Sequence, residues 1–443
     1  MSRRPKRGIS KGTIGALALT ALVVIGLALV LPRLTGNVRL TGSQGAVVLT
    51  ADGIPVMEIR DIPLLPAAPS EAPTQAPAGT VRAETQAPEQ TAAATAKPKA
   101  TEAPTDAPDR TLTLLFGGTV AMETDVRQSG YYQEAGTYDF AEIMAGLRGE
   151  ISADLSLVSL ENLVYAGRKM STLVAPAQVM DMLKSAGFDT VALGFPKAYQ
   201  YGHEGVASTL AAARDARLKT VGLYASQESA VLEIRTVAGV RVALLHYTDS
   251  VDKTGKSQMK KDGHSWALPL TDQAEAEIRA ARREGAEVIV VSLRWGASGK
   301  TKPTAAQQRL AQTMADAGAD LIVGTGSRRV QETAWLTAAD GRQVLCAYSI
   351  GSLLEDSRDN GAVQGLLLKV ALRVTPGGEA AVIRAEAVPT FTWRFKQEGG
   401  NQFRVIAADR PAPDGMDNAS RTAMEKALER LRTALDGGAV SLR

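Results

Sequence analysis

From residue 110 onward, short continuous apolar runs alternate with longer segments whose apolar residues have helical spacing. The runs predict buried strands and the spaced segments predict helices. One helix has proline in its first turn, at Pro176, and ends before Gly187. The predicted strands are 111–116, 155–159, 190–193, 220–223, 231–237, 241–247, 288–293, 321–324 and 344–349. The predicted helices are 140–147, 176–185, 204–214, 272–283 and 303–317. This order is typical of an α/β domain, whose functional residues lie in loops after the strands.

Beyond residue 360 the pattern changes to two antiparallel strands, 365–375 and 380–389. A helix is predicted over 419–435, because its apolar residues fall on one face. These residues are Met424, Ala427, Leu428, Leu431 and Leu435. We expect this helix to pack on the domain. The sequence therefore predicts an α/β domain over 110–395 and a C-terminal extension with an amphipathic helix over 396–443.

The N-terminal pattern is different, because residues 12–32 carry no charge. Twenty-one helical residues span about 30 Å, the hydrocarbon thickness of a bilayer. Five basic residues lie in the preceding tail, 1–11, so the positive-inside rule places the tail in the cytoplasm and the rest of the chain outside it. The alternative is a cleaved signal peptide. Residues 31–36 offer no small-x-small cleavage site, which favours an uncleaved transmembrane anchor.

Two segments connect the predicted anchor to the predicted domain. Residues 33–65 form a short membrane-proximal segment in which alternating apolar residues predict a hairpin. Residues 66–109 contain eight prolines, many alanines and threonines, and no aromatic residue. Such a composition buries too little apolar surface to offset the entropy of ordering. The sequence therefore predicts a disordered stalk of semi-extended chain.

The net positive charge of the chain comes from its N-terminal tail and indicates membrane topology. The net charge is +3, but without the five basic residues of the tail 45 basic residues face 47 acidic ones. This balance argues against nucleic-acid binding. The single cysteine, Cys346, lies in an apolar run and predicts a small core residue rather than a disulfide or a zinc site.

Several motifs resemble the CapA family, named for poly-γ-glutamate capsule biosynthesis, over about residues 110–395. They occur in the family's order. They are Asp154-Leu155-Ser156-Leu157-Val158-Ser159-Leu160-Glu161, Ala186-Gly187-Phe188-Asp189-Thr190-Val191, Tyr201-Gly202-His203-Glu204-Gly205, Val290-Val291-Ser292-Leu293-Arg294-Trp295-Gly296 and Tyr348-Ser349-Ile350-Gly351-Ser352-Leu353. The resemblance implies a metallophosphoesterase-like fold. The expected fold class is therefore a layered α/β/β/α domain, preceded by one transmembrane helix and a disordered linker.

The family's polar positions, however, are mostly replaced. Where the family's first strand ends in Gly-Asp, this chain has Gly117-Gly118, and only Glu161 survives from the family's Asn-Leu-Glu. Lys197 stands at the end of the family's Asn-Asn-His. Arg294 replaces the His of His-Trp-Gly, and Arg328 falls in the family's His-rich loop. Lysine and arginine side chains offer no lone pair to a cation and repel it. The sequence therefore predicts no metal, no other cofactor and no catalytic residue.

The replacements suggest a different use of the loops. Lys197, Arg294 and Arg328 belong to loops that we expect to converge near Glu161, where they would bind an anionic group such as a carboxylate or phosphate. The alternative is that these residues are solvated charges, or are paired with Glu161.

A nucleophilic hydrolase is a further interpretation of the strand-end residues. Ser159, Ser349, His246 and Asp249 lie near predicted strand ends. No Gly-x-Ser-x-Gly elbow is present, and a histidine at a strand end such as His246 is more often structural. Neither the glycine turn at Gly117-Gly118 nor the one after Gly324 matches a nucleotide-binding fingerprint.

The functional expectation combines these observations. The sequence predicts a single-pass cell-membrane protein with a cytoplasmic N-terminus, whose extracytoplasmic CapA-like domain is a non-catalytic binding or assembly component in envelope-polymer biosynthesis. Its expected partners are an anionic envelope polymer or capsule-assembly proteins. One alternative is an active hydrolase of the metallophosphoesterase-like fold with an atypical site. A purely structural wall-spanning module is the other.

Overall fold

The fold was obtained as a computed structural model, which describes three strands between residues 38 and 60 and residues 107–443 except 231, 357–362 and 398. The predicted transmembrane helix, 12–32, and the stalk up to residue 106 lie outside the described residues. Within the described part of the chain, no helix combines the length and the apolar composition that a bilayer span needs.

The three N-terminal strands form a sheet of their own. β1 (Val38–Ser43) pairs antiparallel with β2 (Ala46–Ala51), and β2 pairs antiparallel with β3 (Ile54–Arg60). The sequence predicts one hairpin here, and the structure contains two consecutive antiparallel pairings.

The first large sheet has nine strands. Its main path runs β19–β18–β17–β4–β7–β8–β9, with β16 beside β4 and β20 beside β18. The pairs from β4 to β9 are parallel, whereas β17, β18 and β19 are antiparallel. The strands are β4 (Arg110–Val120), β7 (Leu155–Leu160), β8 (Thr190–Ala192), β9 (Lys219–Val221), β16 (Ser352–Leu354), β17 (Gln364–Val374), β18 (Ala380–Gln397), β19 (Gly400–Ala407) and β20 (Ser441–Leu442).

The second large sheet has six strands in the order β10–β11–β12–β13–β15–β14. Its four central strands are parallel, and both edge strands are antiparallel to their neighbours. The strands are β10 (Ile234–Val237), β11 (Val240–Thr248), β12 (Val288–Arg294), β13 (Leu321–Thr325), β14 (Thr333–Thr337) and β15 (Gln343–Ala347). A small hairpin of β5 (Tyr131–Tyr132) and β6 (Thr137–Tyr138) lies apart from both sheets.

The described residues form seven α-helices, four of which cover the outer faces of the sheets. The seven are α1 (Thr124–Ser129), α2 (Gln178–Ala186), α3 (Gly202–Asp215), α4 (Lys253–Asp262), α5 (Ala274–Arg283), α6 (Ala305–Ala317) and α7 (Asn418–Leu435). Side chains of α2 and α3 pack with the first sheet, and side chains of α5 and α6 pack with the second. α7 buries Leu431 and Leu435, as its apolar face predicts.

Strand alternation produces the layer order. On β4, Leu114 and Phe116 face the second sheet, whereas Leu115 faces the helices. On β12, Val290 faces the first sheet and Ile289 faces α5 and α6. Because successive side chains of a strand point to opposite faces, each strand is buried on both sides. The result is the α/β/β/α order that the sequence predicts, with one apolar layer between the sheets and another between each sheet and its helices.

The predicted helix over 140–147 is wrong. Residues 145–147 form one short 3₁₀ turn, and the preceding hydrogen bond, from the Ile143 N–H to the Phe140 carbonyl, has the same tight spacing. The Ile143 carbonyl accepts the Val405 N–H of β19 at 2.7 Å, so it is not free for a helical bond. The apolar residues Phe140 and Leu147 are buried as expected, but in a turn.

The end of the chain is part of the same fold. β18 crosses residue 395, and β19 extends the nine-stranded sheet beyond it. α7 packs Met424 against Phe391 and Trp393 of β18. Residues 396–443 therefore complete the first sheet and cover one of its faces.

Candidate functional site

The candidate site lies where strands of the two large sheets end side by side. Glu161 follows β7 directly, and its backbone N–H donates to the Val120 carbonyl at 3.0 Å. The next residue, Asn162, is fully buried and accepts the Met122 N–H at 2.7 Å. These bonds hold the loops after β4 and β7 together, so they fix the position of the Glu161 backbone.

Arg294 meets Glu161 from the other sheet. It is the last residue of β12, and its Nε donates to Glu161 Oε1 at 2.9 Å. The side chains of Arg294 and Glu161 are only 16% and 9% exposed. An arginine–carboxylate pair with this little exposure is screened weakly by solvent, so it fixes the two strand ends relative to each other.

Arg328 joins the same group from the loop after β13. It is a non-glycine residue in the left-handed region, with φ of 59°, a conformation that costs backbone energy. Its guanidinium lies 3.6 Å from Glu161, 3.2 Å from Glu123 and 3.6 Å from Glu355. Burial alone would lower the pKa of Arg328, but the three carboxylates outweigh it and raise the pKa. We call these five residues, Glu123, Glu161, Arg294, Arg328 and Glu355, the Arg–Glu cluster.

Glu123 and Glu355 are site residues that the sequence did not predict. Glu123 is the residue before α1, and its Oε2 accepts the Asp356 N–H at 3.1 Å. Glu355 follows β16, which pairs with β4 through Ser352 and Thr119. Both are the first acids after apolar strand segments, so the rule that places functional residues after strands would have included them.

Glu355 has the most unusual environment of the cluster. It is 1% exposed, and its Oε2 accepts the Ser352 hydroxyl at 2.6 Å, while Oε1 is buried without a hydrogen-bond partner. Burial raises the pKa of Glu355 to about 7, although Arg328 and the Ser352 hydroxyl act to lower it. The charge of the cluster therefore becomes more negative by one when Glu355 loses its proton near neutral pH.

A second ionic group lies beside the cluster. Arg394 of β18 contacts Asp125 at 2.6 Å and Asp356 at 3.2 Å. Burial raises the pKa of Asp356, and the nearby Asp125 raises it further, against the effect of Arg394. Charges alternate in sign from Arg294 through Glu161 and Arg328 to Glu123, and Glu123 connects to the second group through the Asp356 N–H.

The structure brings three of the four predicted site residues together. Glu161 contacts both Arg294 and Arg328. This is the arrangement expected from the alternative interpretation of the sequence, in which the basic residues pair with Glu161. Lys197 is exposed in the loop after β8, and among the described residues its ammonium has no hydrogen-bond or ion-pair partner. Anion binding by these residues stays a prediction, because an anion at the cluster would compete with three glutamates for two guanidinium groups.

The residues present do not fit a divalent-metal centre. Within the described residues, no group of three or more histidine, cysteine or acidic side chains is placed to hold a metal ion. Gly118, at the family's Asp position, leaves no room for a side chain, because a Cβ there would lie 2.5 Å from the Gly351 carbonyl oxygen. Arg294 and Arg328 fill the space between the strand ends with positive charge.

His246 is a structural link between the sheets. Its Nε2–H donates to the Gly194 carbonyl at 2.9 Å, so its Nδ1 accepts the Ser292 hydroxyl, also at 2.9 Å. Burial lowers the pKa of His246 to about 4, which keeps the ring neutral. Two other candidates for a nucleophilic site are engaged elsewhere: Ser349 accepts the Ser327 hydroxyl, and Asp249 accepts the Gly296 N–H.

The remaining two histidines lie together away from the cluster. The rings of His203 and His264 are 5.2 Å apart, and Tyr199 lies within hydrogen-bond distance of both His264 Nδ1 and Asp262. Trp266 packs against His264 at 4.7 Å. This group lies at the C-terminal end of α4.

The fold and the site define a mixed α/β protein with two packed sheets and an ionic cluster at their shared strand ends. The family described as "Bacterial capsule synthesis protein PGA_cap" matches residues 113–357, more than half of the chain. The protein belongs to this family.

Two curated relatives are similar over part of their length. The capsule biosynthesis protein CapA of Bacillus anthracis is 28% identical over 200 residues, which are 43% of this chain and 47% of that protein. The PGA biosynthesis protein CapA of Bacillus subtilis (strain 168) is 29% identical over 195 residues, 42% of this chain and 49% of that protein. The chain therefore matches about half the length of these relatives.

Solved structures show weaker likeness. The Haemophilus influenzae NAD nucleotidase (NadN) is 14% identical, with a TM-score of 0.41, covering 76% of this chain and 64% of that one. A hypothetical protein from Thermus thermophilus is 15% identical, with a TM-score of 0.36, covering 63% of this chain and 99% of that one. The fold assignment therefore rests on the strand order and the layers described above.

Proposed function

We propose that this protein serves capsule, poly-γ-glutamate or related envelope-polymer biosynthesis as a non-catalytic binding or assembly component. The observation that carries the proposal is the 2.9 Å contact of Arg294 with Glu161. It places a guanidinium, rather than a metal ligand, on the one retained acidic residue. Membership of the capsule synthesis family supports the assignment to this biological process. The fold would then be a metallophosphoesterase-like one that works without a metal centre.

The proposal includes a position in the cell envelope. Residues 12–32 have the length and composition of a membrane anchor, and the basic tail before them favours a cytoplasmic N-terminus. The proline-rich stalk would hold the domain away from the membrane on its outer side. In this position the domain meets an anionic envelope polymer or the proteins that assemble it.

A second candidate is a hydrolase with an atypical site, and Glu355 is the observation that favours it. A carboxyl group with a pKa of about 7 is matched to general acid catalysis near neutral pH. Glu161, which contacts the Arg328 guanidinium as Glu355 does, would be the second carboxylate of the site. The burial of Glu355 means that a substrate would reach it only after a rearrangement of the residues that surround it.

The test is elemental metal analysis of the full chain, purified in detergent without chelator and repeated after addition of Mn²⁺, Zn²⁺ or Mg²⁺. We expect substoichiometric metal in every case and no phosphoester or poly-γ-glutamate hydrolysis. Stoichiometric metal would overturn the non-catalytic assignment. Metal-free hydrolysis that disappears in Glu355→Gln would instead establish the hydrolase, with Asp414→Asn, an exposed acid remote in sequence, as the control.

A further inference from the structure

Helix α4 carries a face of lysines. Lys253, Lys256, Lys260 and Lys261 are all exposed. At 3.6 residues per turn they fall within an arc of about 140°, and they span about 12 Å along the axis. On the opposite side of the helix Gly255 is buried and Met259 is half-buried. We call these four lysines the α4 lysine face.

Among the described residues, none of the four ammonium groups has a hydrogen-bond or ion-pair partner. The two acids that flank the helix have their carboxylates engaged by other groups. Asp252 accepts the Gly255 N–H at 2.7 Å as the helix cap, and Asp262 accepts the Tyr199 hydroxyl at 3.0 Å.

Lys197 extends the positive charge beyond the helix. The Asp252 N–H donates to the Pro196 carbonyl at 2.8 Å, so the start of α4 is bonded to the loop that carries Lys197. This loop follows β8, at the end of the sheet where the Arg–Glu cluster lies. In that cluster each arginine contacts at least one glutamate, whereas the lysines of α4 remain available to an external ligand.

We propose that the α4 lysine face, together with Lys197, binds a flexible polycarboxylate chain such as poly-γ-glutamate. The inference rests on the proposed function, which it deepens by assigning the polymer to one surface. Charge complementarity favours this ligand: Lys253, Lys256 and Lys260 follow one another at about one helical turn, some 5 Å, and match carboxylates that recur along a flexible polymer. Once one carboxylate is bound, its neighbours on the same polymer are held close to the remaining lysines, so many weak contacts together give a higher affinity.

The composition of the face favours a polycarboxylate over an anionic membrane. Helices that bind membrane surfaces present large apolar side chains beside their basic ones. The apolar residue of α4, Met259, lies on the side that faces the protein, and the exposed side offers only polar groups. The face also lacks arginine, the residue that binds phosphate groups in bidentate fashion.

The test is the binding of a fluorescein-labelled poly-γ-glutamate oligomer to the full chain in detergent, followed by anisotropy. The test variant replaces all four lysines of the face by glutamine. The control replaces four exposed lysines elsewhere, Lys184, Lys219, Lys396 and Lys426, with the same change in net charge. Circular dichroism checks that both variants fold.

We expect the α4 variant to lose at least about tenfold in affinity and the control to lose less than about threefold, because nearby charges act within a Debye length of about 8–10 Å. The salt dependence of binding should be shallower in the α4 variant. Equal losses in the two variants, or unchanged binding in the α4 variant, would overturn the assignment of this surface while leaving polymer binding intact. Binding to phosphatidylserine vesicles that is weaker in the α4 variant than in the control variant, without binding to the oligomer, would show a membrane surface instead. Absence of binding to either probe overturns the inference, and the metal analysis still decides the non-catalytic assignment.

Discussion

Arg294 Nε lies 2.9 Å from Glu161 Oε1, and this contact joins the last residue of a strand in one sheet to the residue after a strand in the other. Because both side chains are largely buried, removal of Glu161 leaves Arg294 without its ion-pair partner, and removal of Arg294 leaves Glu161 only the longer, 3.6 Å contact with Arg328. Breaking such a pair costs about 3–5 kcal/mol, whereas replacing both partners costs much less. The pair is therefore expected to stabilise the packing of the two sheets at this end.

A double-mutant cycle checks this relationship. We expect Arg294→Gln to lower the free energy of unfolding by about 3 kcal/mol, and the double variant with Glu161→Gln to recover part of that loss. Urea denaturation at neutral pH measures each step. The exposed pair of Arg279 and Glu275, 3.0 Å apart on α5, is the matched control and should show a coupling below about 1 kcal/mol. Additive effects at Arg294 and Glu161 would show that the contact does not stabilise the fold.

Restoring the family's aspartate at residue 118 should not restore a metal site. A Cβ at Gly118 would lie 2.5 Å from the Gly351 carbonyl oxygen, so Gly118→Asp must displace backbone at a cost of about 1–3 kcal/mol. The exposed Gly377, where a Cβ meets no atom closer than 3.7 Å, provides the control Gly377→Asp. We expect a lower thermal midpoint for Gly118→Asp alone, with unchanged metal content. A gain of stoichiometric metal would show that the site retains its other ligands.

The buried carboxyl of Glu355 predicts a loss of stability as the pH rises. Burial raises its pKa to about 7 in the folded protein, against 4.5 for an unperturbed glutamate. Between these values the folded state holds a proton that the unfolded state has released, so the free energy of unfolding falls with increasing pH. The difference amounts to about 3 kcal/mol at pH 8.

Glu355→Gln isolates this contribution. We expect the variant to be more stable than the wild type at pH 8, and the advantage to vanish near pH 4.5, where both forms carry a neutral side chain at this position. Urea denaturation across this range measures the difference between the two proteins, in which the other titrating groups cancel. A constant difference at all pH values would show that Glu355 titrates normally.

The elements that sequence could predict are those with a strong apolar pattern. The strand at 288–293 is a continuous apolar run and is buried on both faces, and the helix at 176–185 has a proline in its first turn and ends at Gly187, which has φ of 115°. Helix α4 was not predicted, because its ten residues include four lysines and no apolar stripe. It is held by its Asp252 cap and by tertiary contacts, which local periodicity does not encode.

The site was partly predictable for a related reason. Arg294, Arg328 and Glu161 stand at strand ends, so the topology of an α/β fold already brings them near one another. Which charged residues pair depends on contacts between parts of the chain that are distant in sequence. Arg328 and Glu123, for example, are 205 residues apart. The loop that carries Lys197 turns its side chain to solvent, which the strand order alone does not determine. Sequence thus located the region, and packing decided which charges meet.

Glu150 forms an ion pair with Arg443, the residue after β20. Its Oε2 accepts the Arg443 Nη1 at 2.7 Å, and Arg410 and Lys369 contact it at 3.1 and 3.2 Å. The Arg443 hydrogen bond, opposed by burial and helped by the other two cations, lowers the pKa of Glu150 to about 2. The unfolded chain takes up this proton near pH 4.5, so the stabilisation is present above that value and is lost as the pH falls toward 2.

Glu150→Gln should therefore cost about 2 kcal/mol at pH 6, and the difference from wild type should disappear by pH 2. Glu142→Gln, at a carboxylate whose side chain is 73% exposed and which contacts Arg404, is the control and should change stability by less than 0.5 kcal/mol or so, about the range of surface substitutions. If Glu150→Gln showed the same small effect at pH 6, β20 and Arg443 would be held in place by the pairing of β20 with β18 rather than by this carboxylate.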